Sequence, residues 1–318
     1  TIKLLDSYKL LGKEKSRPSL KSDWQNYYDQ LSSNQRDQLK SLIKDPKNFK
    51  FIKNDDNKSK AEILEASLKY IALKEYREQK EYKEDKYLLE LTRAKLGLVT
   101  TPLYVSPKIS PLKSTAPIGL YLSYGQTEQE SYLGFKYRRA FHDLLSDDSG
   151  LNPFTHLEIF SFEIQYYLNQ HRAELSNLTL INVLSSNPTT ALNQELSWLI
   201  DIGTKEHFSP YLDFGFGSSF NLFSKPVSRS IFLMRLENRL QDKKYFGFLG
   251  PEFIFVSQLS SHSKSVFDVK YLYSMDSQKF LWDHRFSIAF FQNNQEIRFE
   301  YKERDLIPNW LITYLLFY

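Results

Sequence analysis

From Ile118 to the final residue, apolar side chains recur at every second position, and this period of two constrains the chain more than any other feature of it. Leu196, Trp198, Ile200 and Ile202 alternate with Glu195, Ser197 and Asp201. Leu212, Phe214 and Phe216 alternate with Asp213, Gly215 and Gly217. Phe267, Val269, Tyr271 and Tyr273 alternate with Asp268 and Lys270, and Phe280, Trp282, Phe286, Ile288 and Phe290 with Asp283, Arg285 and Ser287. Ile297, Phe299 and Tyr301 alternate with Glu296, Arg298, Glu300 and Lys302. Successive side chains of a strand point to opposite faces, so each run has one apolar and one polar face. Asp147-Asp148-Ser149-Gly150, Ser186-Asn187-Pro188 and Asn293-Asn294 supply turns between runs. The spacing predicts about twelve antiparallel strands, many near the roughly 9 to 11 residues that cross a bilayer at a tilt.

A soluble sandwich alternates too, but there the apolar face is a core. In a membrane barrel the apolar face meets lipid and the polar face lines the lumen. Two features favour lipid. The apolar face is heavy with Phe, Tyr and Trp, some near strand ends where an aromatic girdle would lie. The last strand, NWLITYLLFY, ends on Tyr318, like the C-terminal signature by which outer-membrane barrels are recognised for assembly. Charges on a lipid face would cost about 2–4 kcal/mol at mid-depth, and here they fall on the other face. His284 is the exception, sitting in the apolar register of its strand. The Gly215/Gly217 alternation predicts a strand bend or a close approach by another backbone.

Residues 19 to 98 carry the helical period instead. Trp24, Tyr27, Tyr28 and Leu31 share a face, Ser32 with Gln35 forms a capping box, and Asp45-Pro46 stops the second helix. After KNDDNKSK, a long helix shows a Leu64, Leu68, Ile71 and Ala72 stripe and a polar second half, KEYREQKEYKED, that reads as a solvated face. There Lys74–Glu78, Arg77–Glu81 and Lys80–Glu84 fall at i,i+4. A final helix carries Tyr87, Leu88, Leu91 and Ala94 and ends near Gly97. Prolines at 102, 107, 111 and 117 then forbid helix. The expected organisation is a helical periplasmic adaptor over 1–98, a Pro-rich linker over 99–117 and a transmembrane β-barrel over 118–318.

Several classes fall away on composition. No window approaches the roughly 18 apolar residues of a membrane helix. Net charge is +4 with both signs mixed, which gives no basic face for nucleic acid. There is no Cys, so disulfides, thiolate metal sites and Cys nucleophiles are excluded. The opening TIKLLDSYKLLGKEK lacks a signal peptide's apolar stretch; the strand pattern predicts a leader removed before this numbering begins.

One segment goes further. SYLGFKYRRAFHDLLSDDSGLNPFTHLEIFSFEIQYY resembles the start of the C-terminal region of the Lnb-like periplasmic lipoprotein N-acyltransferases of Gram-negative bacteria. The match rests on Arg139, Ala140, His142, Asp143, Leu144, Leu145, Asp147 or Asp148, and Gly150, which in this chain form an Arg-Ala-x-His-Asp-Leu-Leu run followed by an acidic-Gly turn. LTLINVLSSN, LSWLIDIG and the upstream LLELTRAKLGL extend it, so it covers most of the chain from about residue 60. The family's catalytic module lies upstream and uses a Cys with a His; this chain has no Cys, and Ala116-Pro117 stands where the family linker usually ends in Gly-His. The resemblance therefore implies the barrel and its helical adaptor without the enzyme, and no catalytic residue carries over.

His142 and Asp143 with Arg139 form the one candidate ligand-binding cluster. The competing reading, and the favoured one, is a structural turn among Ser146, Asp147, Asp148 and Gly150. His156 with Glu158, and His207 after Glu206, lack ligand spacing, so neither metal nor cofactor is expected. Asp201, Asp213, Asp268, Lys270, Asp283, Arg285, Glu296, Arg298 and Glu300 are expected to face the lumen, as a pore lining or, preferably, a salt-bridged filling. The expected function is a non-enzymatic outer-membrane scaffold for other envelope proteins or lipoproteins, in contact with outer-membrane lipid and with the barrel-assembly machinery. A small-solute channel and a non-catalytic subunit of a lipoprotein-acylation enzyme are the alternatives.

Overall fold

The computed structural model describes residues 19–52, 56–99, 114, 116–149, 151, 153–190, 192, 194–205, 209–224, 227–241, 244–304 and 307–318. The opening segment, the prolines at 102, 107 and 111, Gly150, Glu206 and His207 lie outside them. The chain divides into two compact units, Thr1–Ile109 and Ser110–Tyr318.

In the first unit, helices α1 (Leu20–Gln30), α2 (Ser33–Lys44), α3 (Asn57–Glu78) and α4 (Lys83–Lys95) accompany a short 3₁₀ turn at Phe49–Ile52. Among the described residues, no helix is long and apolar enough to cross a membrane. The Ser32/Gln35 capping box is formed on both sides. Trp24, Tyr28 and Leu31 are buried, with the Trp24 and Tyr28 rings 5.1 Å apart. Two details differ from expectation. Helix α3 stops at Glu78 because Gln79 turns left-handed (φ 51°), so Arg77–Glu81 and Lys80–Glu84 never form an intrahelical ladder. Instead Lys74 and Lys80 lie over the Tyr82 ring, and Lys83 pairs with Glu81 at 2.7 Å. Second, α3 packs against α1, α2 and α4, so it buries Ala61, Ile63, Ala66, Ser67 and Leu73 beyond a single stripe, while Leu68 and Ala72 are only partly covered. Helix α4 packs through Leu89; Tyr87, Leu91 and Ala94 face water.

The second unit is a closed barrel of twelve antiparallel strands, each paired with its sequence neighbour and the last with the first. They run β1 Ile118–Thr127, β2 Ser131–His142, β3 His156–Tyr167, β4 Arg172–Ser185, β5 Ser197–Lys205, β6 Ser209–Ser224, β7 Val227–Gln241, β8 Lys244–Ser260, β9 Ser263–Ser274, β10 Phe280–Gln292, β11 Gln295–Arg304 and β12 Ile307–Phe317. Closure is made by β1 against β12, with Leu120 opposite Leu316 and Tyr124 opposite Ile312. It continues to the last residue, whose N–H donates to the Ile118 carbonyl at 2.9 Å. Closure leaves no unpaired edge, which is the condition for strands to cross a lipid core.

Alternation decides what each face meets. Leu122, Leu133, Phe216, Phe232, Phe286, Phe290, Ile312 and many like them project outward and stay exposed. The inward face carries Asp213, Arg235, Glu237, Glu252, Asp268 and Arg298, all buried. An apolar outside around a polar inside is the inverse of a soluble protein and the pattern of an outer-membrane barrel. At one end the outward rings form a girdle: Tyr271 lies 4.7 Å from Phe280 and 4.6 Å from Trp282, and Tyr301 lies 4.5 Å from Trp310. Gly217 realises the expected close approach, since a Cβ there would collide with the Phe232 carbonyl of β7.

The two ends of the barrel differ. At the end away from Ile118 and Tyr318, all six connections span two to five residues. At the end where β1 begins, three connections are two residues long, but residues 143–155 and 186–196 are much longer.

Candidate functional site

The 143–155 connection folds into the barrel mouth rather than away from it. Two bulges in β2, between Arg138 and Ala140 and between Ala140 and His142, turn the chain inward. The Asp143 side chain then caps its own turn, accepting from the Leu145 and Ser146 N–H groups at 3.0 and 2.9 Å and from the Ser146 hydroxyl at 3.0 Å. This is the Asx-type turn that a short acceptor side chain supports. Its carboxylate is also gripped by two inward-facing arginines. Arg298 of β11 approaches it twice, at 2.9 and 3.0 Å, and Arg138 of β2 donates from the other side. Glu296 in turn pairs with Arg298.

Arg139 does not take part. It shares the parity of Leu133 and Phe135 and is exposed on the outer face, whereas Arg138, one residue earlier, shares the inward parity of Lys136. His142 is buried, with Nε2 2.7 Å from the Thr155 hydroxyl, so it ties the start of the inserted segment to its end. His156 lies 3.5 Å from Glu158, which pairs with Lys136 at 3.0 Å. Among the described residues no group of three His, Asp or Glu side chains is arranged to hold a metal ion.

Beyond the Asp143 turn, apolar contacts take over. Leu144, Leu145 and Phe154 of the inserted segment join Leu184, Leu199, Ile231, Leu233, Ile254, Val256, Val266 and Ala289 in one buried cluster. Those partners come from inward positions on β4, β5, β7, β8, β9 and β10, so the segment is packed on most of the wall. Two buried cations complete the seal. Lys264 donates to the Ser146 carbonyl and pairs with Asp148, both at 2.6 Å. Arg229 donates to the Pro153 carbonyl at 3.3 Å and to the Ser186 carbonyl at 2.7 Å, which locks the second long connection onto the first. The Phe154 ring lies beneath both cations, 4.8 Å from Arg229 and 5.8 Å from Lys264. Its backbone is left-handed (φ 59°), a conformation that a bulky residue adopts only when its surroundings over-determine it. The second connection is pinned further by Thr189 donating to the Ser219 carbonyl at 2.7 Å.

Past this plug the lumen is charged. Arg235 sits among Asp213, Glu252 and Glu237 at 3.2, 3.2 and 3.3 Å. Lys270 lies 3.5 Å from Glu237 and Arg239 lies 2.8 Å from it. Arg285 pairs with Asp268 at 3.2 Å, Lys302 with Glu300 at 3.4 Å, and the Tyr211 hydroxyl donates to Asp201 at 3.0 Å. Asp283 faces Lys270 across the β9–β10 ladder on the same side. All nine side chains assigned to the lumen from the alternation therefore lie on the inward face: seven in this charged layer beyond the plug, and Glu296 with Arg298 at the plug itself. Sequence reasoning missed Arg138, Lys264, Arg229 and Phe154. Parity marks Arg138 as inward, but nothing local marks Phe154 as a plug.

Residues 108–310 match the family model described as "Domain of unknown function (DUF7840)". The chain belongs to this family. No curated protein matches it. Among solved structures, the barrel of the DUF7840 chain is similar to a KdgM porin in complex with disordered oligogalacturonate, at 8% identity and TM-score 0.40 over 62% of this chain and 98% of that one. It is also similar to the NanC porin, at 9% identity and TM-score 0.38 over 63% and 99% of the two chains. A third is Omp33 of Acinetobacter baumannii, at 5% identity and TM-score 0.33 over 65% and 100%.

Proposed function

We propose that this DUF7840 protein is a non-conducting outer-membrane barrel that anchors or scaffolds other envelope proteins, with its helical unit in the periplasm as the adaptor. The plug carries this reading. Among the described residues, an apolar cluster of the inserted segment with six strands, closed over by Asp143, Lys264 and Arg229, packs across that end of the lumen. A barrel that does not conduct serves as a fixture, and the distribution of its connections supports one side for the partners. Both long connections, and the strand into which the linker leads, lie at a single end, while the other end has only tight turns.

Detergent extraction of fractionated envelopes tests this. The full chain should migrate in a complex larger than itself, with partners identified by mass spectrometry, and deletion of residues 20–95 should release those partners while the barrel remains in the membrane. Partners unaffected by that deletion would overturn the adaptor role.

The charged layer around Arg235 favours one second reading, a channel for small polar solutes once the plug moves. The resemblance to the lipoprotein N-acyltransferases supports a variant of the first, in which the partner is a separate Cys-containing catalytic chain. Liposome conductance separates the channel from the scaffold, and the identity of a co-purified Cys protein separates the variant.

A further inference from the structure

Two charged side chains stand out on the lipid-facing wall among the described strand residues: Arg139 near the end where β1 begins, and Glu303 near the opposite end. Glu303 stands opposite His284 on β10 and Pro308 on β12, all three on the outward face. Its recorded partners are His284, at 3.6 Å, and the Tyr301 hydroxyl, which donates to it. Neither is a permanent cation. Around it lie the rings of the girdle. Tyr301 is 4.5 Å from Trp310 and 5.8 Å from His284. Trp282, two residues before His284 on the same face, is 4.6 Å from Tyr271. Trp282 and Trp310 are 56% and 62% exposed, so their faces are open to the bilayer.

An outward carboxylate at a membrane interface attracts positive charge, and electron-rich ring faces attract cations. Together they describe a seat for an ammonium group. Arg139 of a second copy cannot fill it, because two copies inserted in the same direction hold Arg139 and Glu303 at opposite membrane surfaces. We propose that Glu303, with the Tyr301 and Trp310 rings, binds the headgroup of a bilayer lipid carrying a protonated primary amine. The carboxylate accepts from the ammonium while the rings flank it, and His284, 3.6 Å from Glu303, sets the edge of the seat.

Native mass spectrometry of the full chain in detergent tests this, with ethanolamine and glycerol phospholipids of identical acyl chains offered in equal amounts. The protein should retain the ethanolamine lipid about fivefold over the glycerol lipid, the ratio that an exposed cation–π and charge contact supports. Glu303→Gln should bring the ratio to about one, and Trp310→Leu should lower it roughly twofold. Each variant should keep the heat-dependent gel mobility of a closed barrel, which separates a lost site from a lost fold. Equal retention of the two lipids by the unaltered protein would overturn the proposal, as would an undiminished preference in folded Glu303→Gln.

Discussion

Replacing Phe154 probes the plug most sharply, because two opposing costs meet at that residue. Its ring is 2% exposed and fills space beneath Arg229 and Lys264 within the apolar cluster. Truncating a buried Phe to Ala costs about 3–5 kcal/mol, the lost transfer energy plus the cavity. Ala keeps the left-handed backbone strain at φ 59°, whereas Gly relieves it by roughly 1 kcal/mol. Phe154→Ala should therefore lose about 3–5 kcal/mol, and Phe154→Gly should lose about 1 kcal/mol less, the reverse of the usual order of these residues. Urea titration of the protein in lipid vesicles, followed by the folded-to-unfolded mobility shift, measures both. An Ala variant within about 0.5 kcal/mol of the unaltered protein would show that the ring anchors nothing, since even one buried methylene is worth about 0.8 kcal/mol. A Gly variant weaker than the Ala variant would show that the backbone conformation is not the constraint.

Other consequences are equally direct. The protein should migrate faster in SDS gels unheated than boiled, because every strand edge is paired; identical migration together with solubility without detergent would contradict a membrane barrel. Asp143→Asn leaves Arg138 and Arg298 buried without their shared anion and should cost about 3–5 kcal/mol in the same urea titration, with Arg138→Met in the Asn background recovering part of the loss.

The barrel was legible because side-chain parity is a local signal. A run such as Phe280 to Phe290 states its own two faces, and closure follows once every run does so. The capping box at Ser32 was legible for the same reason. What escaped is information that no single segment carries. Arg138 shares the inward parity of Lys136, but only the two bulges beyond it show that Asp143 returns to meet it. The His142–Asp143 turn reads as structural, but nothing in its own segment shows that Leu144 and Leu145 are buried against the barrel wall. A clue was present in β7 and β8: Ile231-Phe232-Leu233-Met234 and Phe253-Ile254-Phe255-Val256 are apolar on both parities, the mark of strands covered on both faces. Their inward halves are the wall on which the plug packs. In the helical unit, α3 buries more than one stripe because three helices surround it, and its own sequence does not report its neighbours.

Conductance across a planar bilayer tests the sealed lumen most directly. The full chain should pass no current above the bare membrane, because Leu144, Leu145 and Phe154 occupy the lumen at the end where β1 begins. A variant in which residues 144–154 are replaced by a two-residue Asn-Gly turn should fold, keep its heat-dependent mobility and conduct through the charged layer left behind. Equal steady currents from the two proteins would contradict the plug, and with it the reading of this barrel as a fixture rather than a pore.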